Sequence, residues 1–202
     1  VTVAKLARKI RGHRSGDALH GGGVVNVLIY IDYPNLVTEA RHIQAVMEGK
    51  ALDVEDAQNQ KVFSPWSCEF PALLEVVRAG DVAIRAFLVS SDPFYSRKYA
   101  EAAGFDLAVF PRNFREKEKR VDTTFALEAL SDAYENADPR FDRFVLVTGD
   151  LDQEPTLRKL RELGYHTTVA FWRHASKMLR EGALEFLPLN EHWEALSYRE
   201  GR

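Results

Sequence analysis

The stretch VVNVLIYI at residues 24–31 is an almost unbroken run of β-branched and aliphatic side chains. Such a run predicts a strand that is buried on both faces, as the central strands of a parallel sheet are. Asp32 and Pro34 follow it, and apolar residues then recur at the spacing of one helix face, at Leu36, Ala40, Ile43 and Met47. The stretch therefore predicts a buried strand that leads directly into a helix, which is the repeating unit of an α/β fold.

The same alternation continues through the rest of the chain. Short apolar runs predict strands over residues 82–89, 107–110, 144–147 and 167–171, and helical spacing predicts helices over residues 93–103, 126–137, 157–163 and 174–182. We expect a loop or a short helix over 50–71, a charged loop over 111–121, and a short extended segment over 184–189. This order predicts an α/β fold, a three-layer sandwich around a mainly parallel, doubly wound sheet.

The composition is that of one globular domain, with 202 residues of which 46% are hydrophobic and 28% are charged. No run of about 18 apolar residues is present, so we expect no membrane span. Cys68 is the single cysteine, which excludes an intrachain disulfide and a zinc site with several cysteines. The sequence shows no recognisable signal peptide, so the expected location is cytoplasmic.

Residues 1–23 differ from the rest of the chain in charge. The net charge of the whole chain is −3, yet this segment carries five lysine and arginine side chains against Asp17. The glycines at 21–23 end the segment and match no phosphate-binding glycine motif. We expect residues 1–23 to form a flexible basic arm, most simply a solvated terminus, and residues 24–202 to form the folded domain.

Aspartates occur where a parallel sheet places its sites, which is beyond the carboxyl ends of the strands. Asp32 ends the first predicted strand, and Asp150 and Asp152 follow the fourth one in the sequence TGDLD. Asp122 opens the predicted helix that leads to the fourth strand. Each aspartate alone has an ordinary explanation as a turn or helix-capping residue. Their joint occurrence at one edge favours a functional cluster.

Carboxylates that are brought together repel one another unless a cation lies between them. Hard divalent cations prefer oxygen ligands, so we predict Mg²⁺ or Mn²⁺ as the cofactor of this cluster. Such an ion makes water more acidic and offsets negative charge on a phosphate group. The predicted chemistry is therefore the cleavage of phosphodiester bonds.

Three motifs in this order resemble the NYN domain family of PIN-like nucleases, and its bacterial LabA-like branch in particular. They are Asp32-x-x-Asn35 after the first strand, Lys119-Arg120-Val121-Asp122, and Thr148-Gly149-Asp150-Leu151-Asp152 before a helix that contains Pro155. The resemblance covers about residues 24–189 and implies a Rossmann-like, PIN-like sheet and an Mg²⁺- or Mn²⁺-dependent ribonuclease. It also implies that Asp32, Asp122, Asp150 and Asp152 are catalytic metal ligands, and that Asn35 orients a carboxylate or a water molecule.

The chain departs from the family pattern at a few positions. Tyr33-Pro34 and Arg120 stand in place of glycines, Gln153 in place of a phenylalanine and Leu184 in place of an acidic residue. None of these changes removes a site carboxylate, but they bear on substrate access and rate. Glu128 falls where the family often has an aspartate. It is about 240° further round a helix than Asp122, so its spacing alone does not place it on the same face.

A basic segment precedes Asp122. Its positive side chains outnumber the two glutamates, and they are Arg112, Arg115, Lys117, Lys119 and Arg120. Because the segment follows the third strand, we expect it at the acidic edge, where it would bind RNA phosphates while Phe110 or Phe114 stacks on a base. A solvated charged loop is the alternative. Arg97 and Lys98 are weaker candidates for phosphate contacts.

These features together predict a metal-dependent ribonuclease whose partner is single-stranded or structured RNA. The alternative is an NYN-fold module that binds RNA or protein with little or no turnover. A phosphatase with an aspartate nucleophile is disfavoured, because Pro34 stands where that chemistry needs a second aspartate. The residues leave open whether the chain forms a homo-oligomer.

Overall fold

The computed structural model of the chain describes residues 25–91, 93–111 and 117–198, with the side chains of 117–119 set aside. The basic arm at residues 1–23 lies outside the described residues. So do Arg112, Phe114 and Arg115 of the basic segment, and the side chains of Lys117 and Lys119.

The described residues contain one sheet of six strands. The strands are β1 (Asn26–Asp32), β2 (Val82–Ser91), β3 (Asp106–Phe110), β4 (Asp142–Val147), β5 (His166–Phe171) and β6 (Glu185–Pro188). They hydrogen-bond in the order β3-β2-β1-β4-β5-β6, and all neighbouring pairs are parallel. The predicted parallel sheet is confirmed, and the extended segment expected over 184–189 contributes its last strand.

Helices connect the strands and cover the sheet. Those within the described residues are α1 (Tyr33–Met47), α2 (Val54–Gln60), α3 (Phe70–Arg78), α4 (Arg97–Ala102), α5 (Lys117–Glu135), α6 (Glu154–Glu162), α7 (Lys177–Gly182) and α8 (Trp193–Leu196). Short 3₁₀ turns at Leu151–Gln153 and Leu189–His192 precede α6 and α8.

The side chains of β1 show how the sheet separates two apolar cores. Ile29 and Ile31 pack on one side with residues of α1 and α3, such as Leu36 and Leu73. Leu28 and Tyr30 pack on the other side with residues of α5, α6 and α7. Because both faces of β1 are covered, the strand carries apolar residues at consecutive positions, as its sequence predicts. The molecule is therefore the predicted three-layer sandwich.

The order of the strands reverses beside β1. The chain builds β1, β2 and β3 towards one edge of the sheet and then returns to place β4 on the other side of β1. In open parallel sheets, ligands bind in the crevice at such a reversal, beyond the carboxyl ends of the strands. Ile31 pairs with Val147, so the residues that follow β1 and β4 lie side by side there.

The segment before β2 differs from the prediction. The short helix that the sequence analysis allows over residues 50–71 is present as α2, whereas α3, which runs from Phe70 to Arg78, is a helix that the sequence analysis did not predict. Phe70, Leu73 and Val77 of α3 are buried at the spacing of one helix face. The helical signal is present in these residues, but it is only nine residues long and leads almost directly into β2.

The start of α5 also differs from the prediction. The charged loop expected over 111–121 is wrong from Lys117 onward, because α5 already begins there. Lysine, glutamate and arginine are strong helix formers, so a charged segment without apolar periodicity can still be helical. Asp122 consequently lies inside the helix rather than at its start, and a helix-capping role does not explain it.

None of the helices in the described part of the chain is both long and apolar enough to cross a membrane.

Candidate metal centre

Three aspartates meet at the strand-order reversal. Asp32 is the last residue of β1, Asp150 follows β4, and Asp122 comes from the first turns of α5. One carboxylate oxygen from each lies within 4.8 Å of the corresponding oxygens of the other two. The sequence prediction that separate segments deliver these three carboxylates to one place therefore agrees with the geometry.

Asp32 is the most buried member of this group, with 3% of its surface exposed. The pKa of the Asp32 carboxyl is raised from 3.8 to about 7, chiefly by burial and additionally by the nearby charges of Asp122 and Asp150. Hydrogen bonds from the backbone N–H of Asn35 and the hydroxyl of Thr148 oppose part of that rise in pKa. Near neutral pH the carboxyl is thus poised between its two forms, and a cation in the cluster would favour the charged one.

Local hydrogen bonds hold the two strand-end aspartates in position. Asp32 caps α1, since its Oδ1 accepts a hydrogen bond of 3.2 Å from the backbone N–H of Asn35. Asp150 caps the following 3₁₀ turn, and its Oδ1 accepts a hydrogen bond of 3.0 Å from the N–H of Asp152. Both residues therefore serve as caps and also belong to the carboxylate cluster. A carboxylate has enough lone pairs for a cap and a cation.

Asn35 joins the two strand ends. Its side-chain oxygen accepts a hydrogen bond of 2.8 Å from the N–H of Gly149, at the turn after β4. Its own backbone N–H donates to Asp32. Asn35 is therefore placed to fix the separation between Asp32 and Asp150. Among the described contacts, its amide bonds to the loop backbone rather than to a carboxylate.

Thr148 and Gly149 have structural roles that sequence reasoning did not assign. The Thr148 hydroxyl bonds to Asp32 and accepts a hydrogen bond of 3.2 Å from the N–H of Asp150. A Cβ added to Gly149 would overlap the ring of Phe171, which is 1% exposed. The glycine thus lets the turn approach β5 closely enough to place Asp150. The signal that marks both residues is their position between a buried strand and two aspartates.

Gln153 is a buried link between α5 and the turn after β4. It is 1% exposed, its side-chain N–H₂ donates to the carbonyl of Asp122 at 3.4 Å, and its oxygen accepts from Thr156 at 3.2 Å. A phenylalanine could make neither hydrogen bond. This departure from the family pattern therefore supports Asp122 through a polar contact.

Asp152 and Glu128 do not join the three carboxylates. Asp152 is exposed, and it reaches Asp150 through its backbone N–H. Glu128 Oε2 instead accepts a hydrogen bond of 2.7 Å from Arg85. This pairing accords with the helical spacing, which does not place Glu128 on the face of Asp122.

Two other departures lie away from the carboxylates. The Tyr33 ring is buried and stacks on Phe70 with centroids 5.5 Å apart, so it packs into the core and leaves access to the carboxylates open on its side. Leu184 immediately precedes β6. It therefore lies at the opposite edge of the parallel sheet from the three aspartates.

The predicted phosphate-binding residues are only partly described. Arg120 is exposed in the first turn of α5, two residues from Asp122. Arg112, Arg115, Lys117 and Lys119 lie outside the described side chains. Phe110 packs against the α5 side of the core, which is at variance with the expectation that its ring is available to stack on a base.

Comparisons with known proteins identify the family of the chain and a similar fold. The family model of the NYN domain, a family of the PIN-like superfamily, matches residues 26–190. The fold is similar to the crystal structure of a protein of unknown function, VPA0982, from Vibrio parahaemolyticus. That similarity has a TM-score of 0.60 at 16% identity and covers 85% of this chain and 96% of the other. No curated protein matches the chain significantly.

Proposed function

The chain belongs to the NYN domain family, and on that premise we propose that it is a metal-dependent ribonuclease that hydrolyses phosphodiester bonds in RNA. The observation that carries the proposal is the meeting of Asp32, Asp122 and Asp150 within 4.8 Å. They come from three separate elements, and the one inside α5 has no capping role. Acidic side chains that cluster by chance are exposed, because burial of a carboxylate is costly, whereas Asp32 is buried.

The donor set fits a hard divalent cation. All three side chains offer carboxylate oxygens, which Mg²⁺ and Mn²⁺ prefer over softer ligands. When bound, such an ion supplies an activated water and neutralises charge on the attacked phosphate. The protein keeps Asp32 buried with a raised pKa, so the cluster in its ionised form is costly without a counter-charge.

Each residue near the cluster has a separate task in this proposal. Asp32, Asp122 and Asp150 hold the cation. Asp152 lies outside the group of three, and from its exposed position two residues after Asp150 it would orient a water molecule or, in another rotamer, add a ligand. Asn35 is a positioning residue, because its hydrogen bonds join the segments that carry Asp32 and Asp150.

The proposed substrate contacts come from the basic segment before Asp122. We assign Arg112, Arg115, Lys117, Lys119 and Arg120 to binding of RNA phosphates, on the basis of their charge. Support comes from the helical position of Lys117, Lys119 and Arg120, since the start of α5 adds a partial positive charge beside them.

A catalytically silent binding module is the competing function. Tyr33, Arg120 and Leu184 gave reason to consider it. Tyr33 packs into the core and Leu184 lies at the other edge of the sheet, so these two departures give that alternative little support. Arg120 adds a positive charge, which would favour RNA binding in a nuclease and in a silent RNA-binding module alike. It therefore does not distinguish the two functions.

The proposal is tested by cleavage of an end-labelled single-stranded RNA in Mg²⁺, Mn²⁺ or EDTA. The wild type is compared with Asp150→Asn, which keeps a good capping side chain, and with Asp106→Asn. Asp106 is a matched control because its side chain is 64% exposed and it begins β3, at the opposite edge of the sheet.

We expect metal-dependent cleavage by the wild type and by Asp106→Asn, and a loss of at least about 100-fold in Asp150→Asn. Binding of RNA without cleavage in every metal would favour the silent module. Equal cleavage by the wild type and Asp150→Asn would rule out the cluster as the active site.

A further inference from the structure

A cavity of about 390 Å³ opens at the same edge of the sheet as the aspartates. Its walls come from the start of α3, from α4 and the turn before it, and from the segment after α8. Three tyrosines line it, and all are well exposed: Tyr95 is 88% exposed, Tyr99 67% and Tyr198 50%. Single exposed aromatic rings are ordinary, but several around one concave surface indicate a binding site.

Tyr33 links the cavity to the acidic cluster. Tyr33 directly follows Asp32, and its ring stacks on Phe70 while its hydroxyl bonds to Ser96. Both Phe70 and Ser96 line the cavity. Tyr33 therefore lies between the cavity and the acidic cluster, at the edge of the sheet where β1 ends.

The lining favours a base over a phosphate group. Glu69 is the charged side chain among the described residues that line the cavity, and the others are polar or apolar. A carboxylate repels phosphate, but it accepts hydrogen bonds from the amino and imino groups of a base. The exposed tyrosines offer flat rings to the face of a base, and such stacking tolerates any base.

Features outside the cavity fit a strand rather than a free nucleotide. Arg97 and Lys98 are exposed at the start of α4, next to Tyr99, where they can contact phosphates. A second cavity of about 430 Å³ shares Ser67 and Tyr198 with the first. Aromatic rings that stack on bases, beside positive side chains that contact the backbone, are the general pattern of single-strand binding.

We propose that the cavity lined by Tyr95, Tyr99 and Tyr198 binds a base of the RNA strand next to the bond that is cleaved. The inference rests on the proposed function, which makes an RNA strand the ligand of this edge. It adds a base-binding site that acts without the cation and that selects single strands, because a base paired in a duplex cannot enter the cavity.

The test measures binding in EDTA, so that neither the cation nor cleavage contributes. The probe is a fluorescently labelled single-stranded oligouridylate, compared with a strand of equal length and charge in which the bases are absent. Tyr95→Ala and Tyr99→Ala are compared with the wild type and with Tyr134→Ala. Tyr134 is a matched control, since it is 61% exposed but lies near the far end of α5.

We expect the wild type to prefer the strand with bases, and Tyr95→Ala and Tyr99→Ala each to weaken its binding by about 5- to 150-fold. Binding of the abasic strand should be unchanged in both variants, and Tyr134→Ala should bind as the wild type does. Equal binding of the two strands by the wild type, unchanged binding in both tyrosine variants, or no binding at all would overturn the inference.

The outcomes also separate this inference from the proposed function. Base-dependent binding that needs Tyr95 and Tyr99, in a protein that cleaves no RNA, would support the cavity and contradict the nuclease. Metal-dependent cleavage with binding that is indifferent to both tyrosines would support the nuclease and overturn the cavity, which would then be a candidate for protein docking.

Discussion

Asp32 is buried and lies next to two other carboxyl groups, and both features disfavour its charged form unless a cation is present. Its carboxyl is 3% exposed, and it lies beside the carboxyls of Asp122 and Asp150. Burial and the two neighbouring charges raise its pKa to about 7. A neutral or alkaline solution without metal therefore forces an unfavourable charge into the folded protein.

The first prediction concerns the pH dependence of folding without metal. The folded pKa of Asp32 lies above its unfolded value of 3.8, so the folded protein binds more protons between about pH 4 and pH 7. Stability in EDTA should accordingly fall as the pH rises through this window. Between about pH 6 and pH 8, Asp32 should lower the free energy of unfolding by about 1.4 kcal/mol.

Urea unfolding in EDTA at a series of pH values measures this contribution. Asp32→Asn removes the titrating group and should flatten the curve by about that amount, while Asp106→Asn should leave it unchanged. An identical slope in the wild type and Asp32→Asn would show that the carboxyl titrates normally.

The second prediction concerns Gly149. A methyl group at this position would overlap the ring of Phe171, which is fully packed in the core. We expect Gly149→Ala to lower the free energy of unfolding by about 1–3 kcal/mol. At Gly182 the added Cβ would contact only Leu157 Cδ2, at 3.3 Å, so Gly182→Ala should cost less.

A double-mutant cycle tests whether the overlap with Phe171 is the cause. In a Phe171→Leu background, the cost of Gly149→Ala should shrink, because the smaller side chain leaves room for the methyl group. The same cost in both backgrounds would mean that backbone conformation, rather than the ring, requires glycine.

At the scale of the elements, α5 presents two acidic residues to different surroundings. Asp122 faces the strand ends, and Glu128 bonds to Arg85. We predict that Asp122→Asn abolishes binding of Mn²⁺, whereas Glu128→Gln keeps the wild-type affinity within about a factor of two. Calorimetric titration of the two variants makes this comparison on one helix. Loss of binding in Glu128→Gln would place that residue in the metal centre.

The elements also show which parts of the fold the sequence could predict. The central strands are predictable because they are buried on both faces and therefore carry runs of consecutive apolar residues, as in β1 and β4. Helix α3 follows a polar stretch and offers only three fully buried positions, Phe70, Leu73 and Val77. The start of α5 has charged residues in place of an apolar pattern, so its boundary depends on backbone propensity instead.

The site, like the fold, was predictable only in part from the sequence. Asp32, Asp122 and Asp150 follow from motif order and from the rule that strand ends share an edge. The burial of Asp32, the link through Gln153 and the exposure of Asp152 depend on packing between distant segments. Such contacts leave no periodic signal in the sequence.

For the whole molecule, the proposed metal site would couple cation binding to stability. The three carboxylates come from β1, the turn after β4 and α5. A cation held between them would therefore stabilise the packing of these three elements against one another. Binding to the folded state alone, at a concentration about 100 times the Kd, adds about 2.7 kcal/mol. In a domain of this size, that corresponds to a rise in Tm of about 5–10 °C.

Thermal unfolding with and without Mn²⁺ checks this prediction. Asp150→Asn should show no metal-dependent rise, and in EDTA it should be at least as stable as the wild type because one like charge is removed. A rise of equal size in Asp150→Asn would locate the stabilising ion elsewhere in the protein.

The most direct test of the account is the position of the ion itself. Crystals of the protein soaked in Mn²⁺, measured for anomalous scattering, should show a peak bounded by the carboxylates of Asp32, Asp122 and Asp150. The peak should be absent from crystals of Asp122→Asn. A peak at other residues, or none at a concentration that supports RNA cleavage, would contradict the assignment of this cluster as the metal centre.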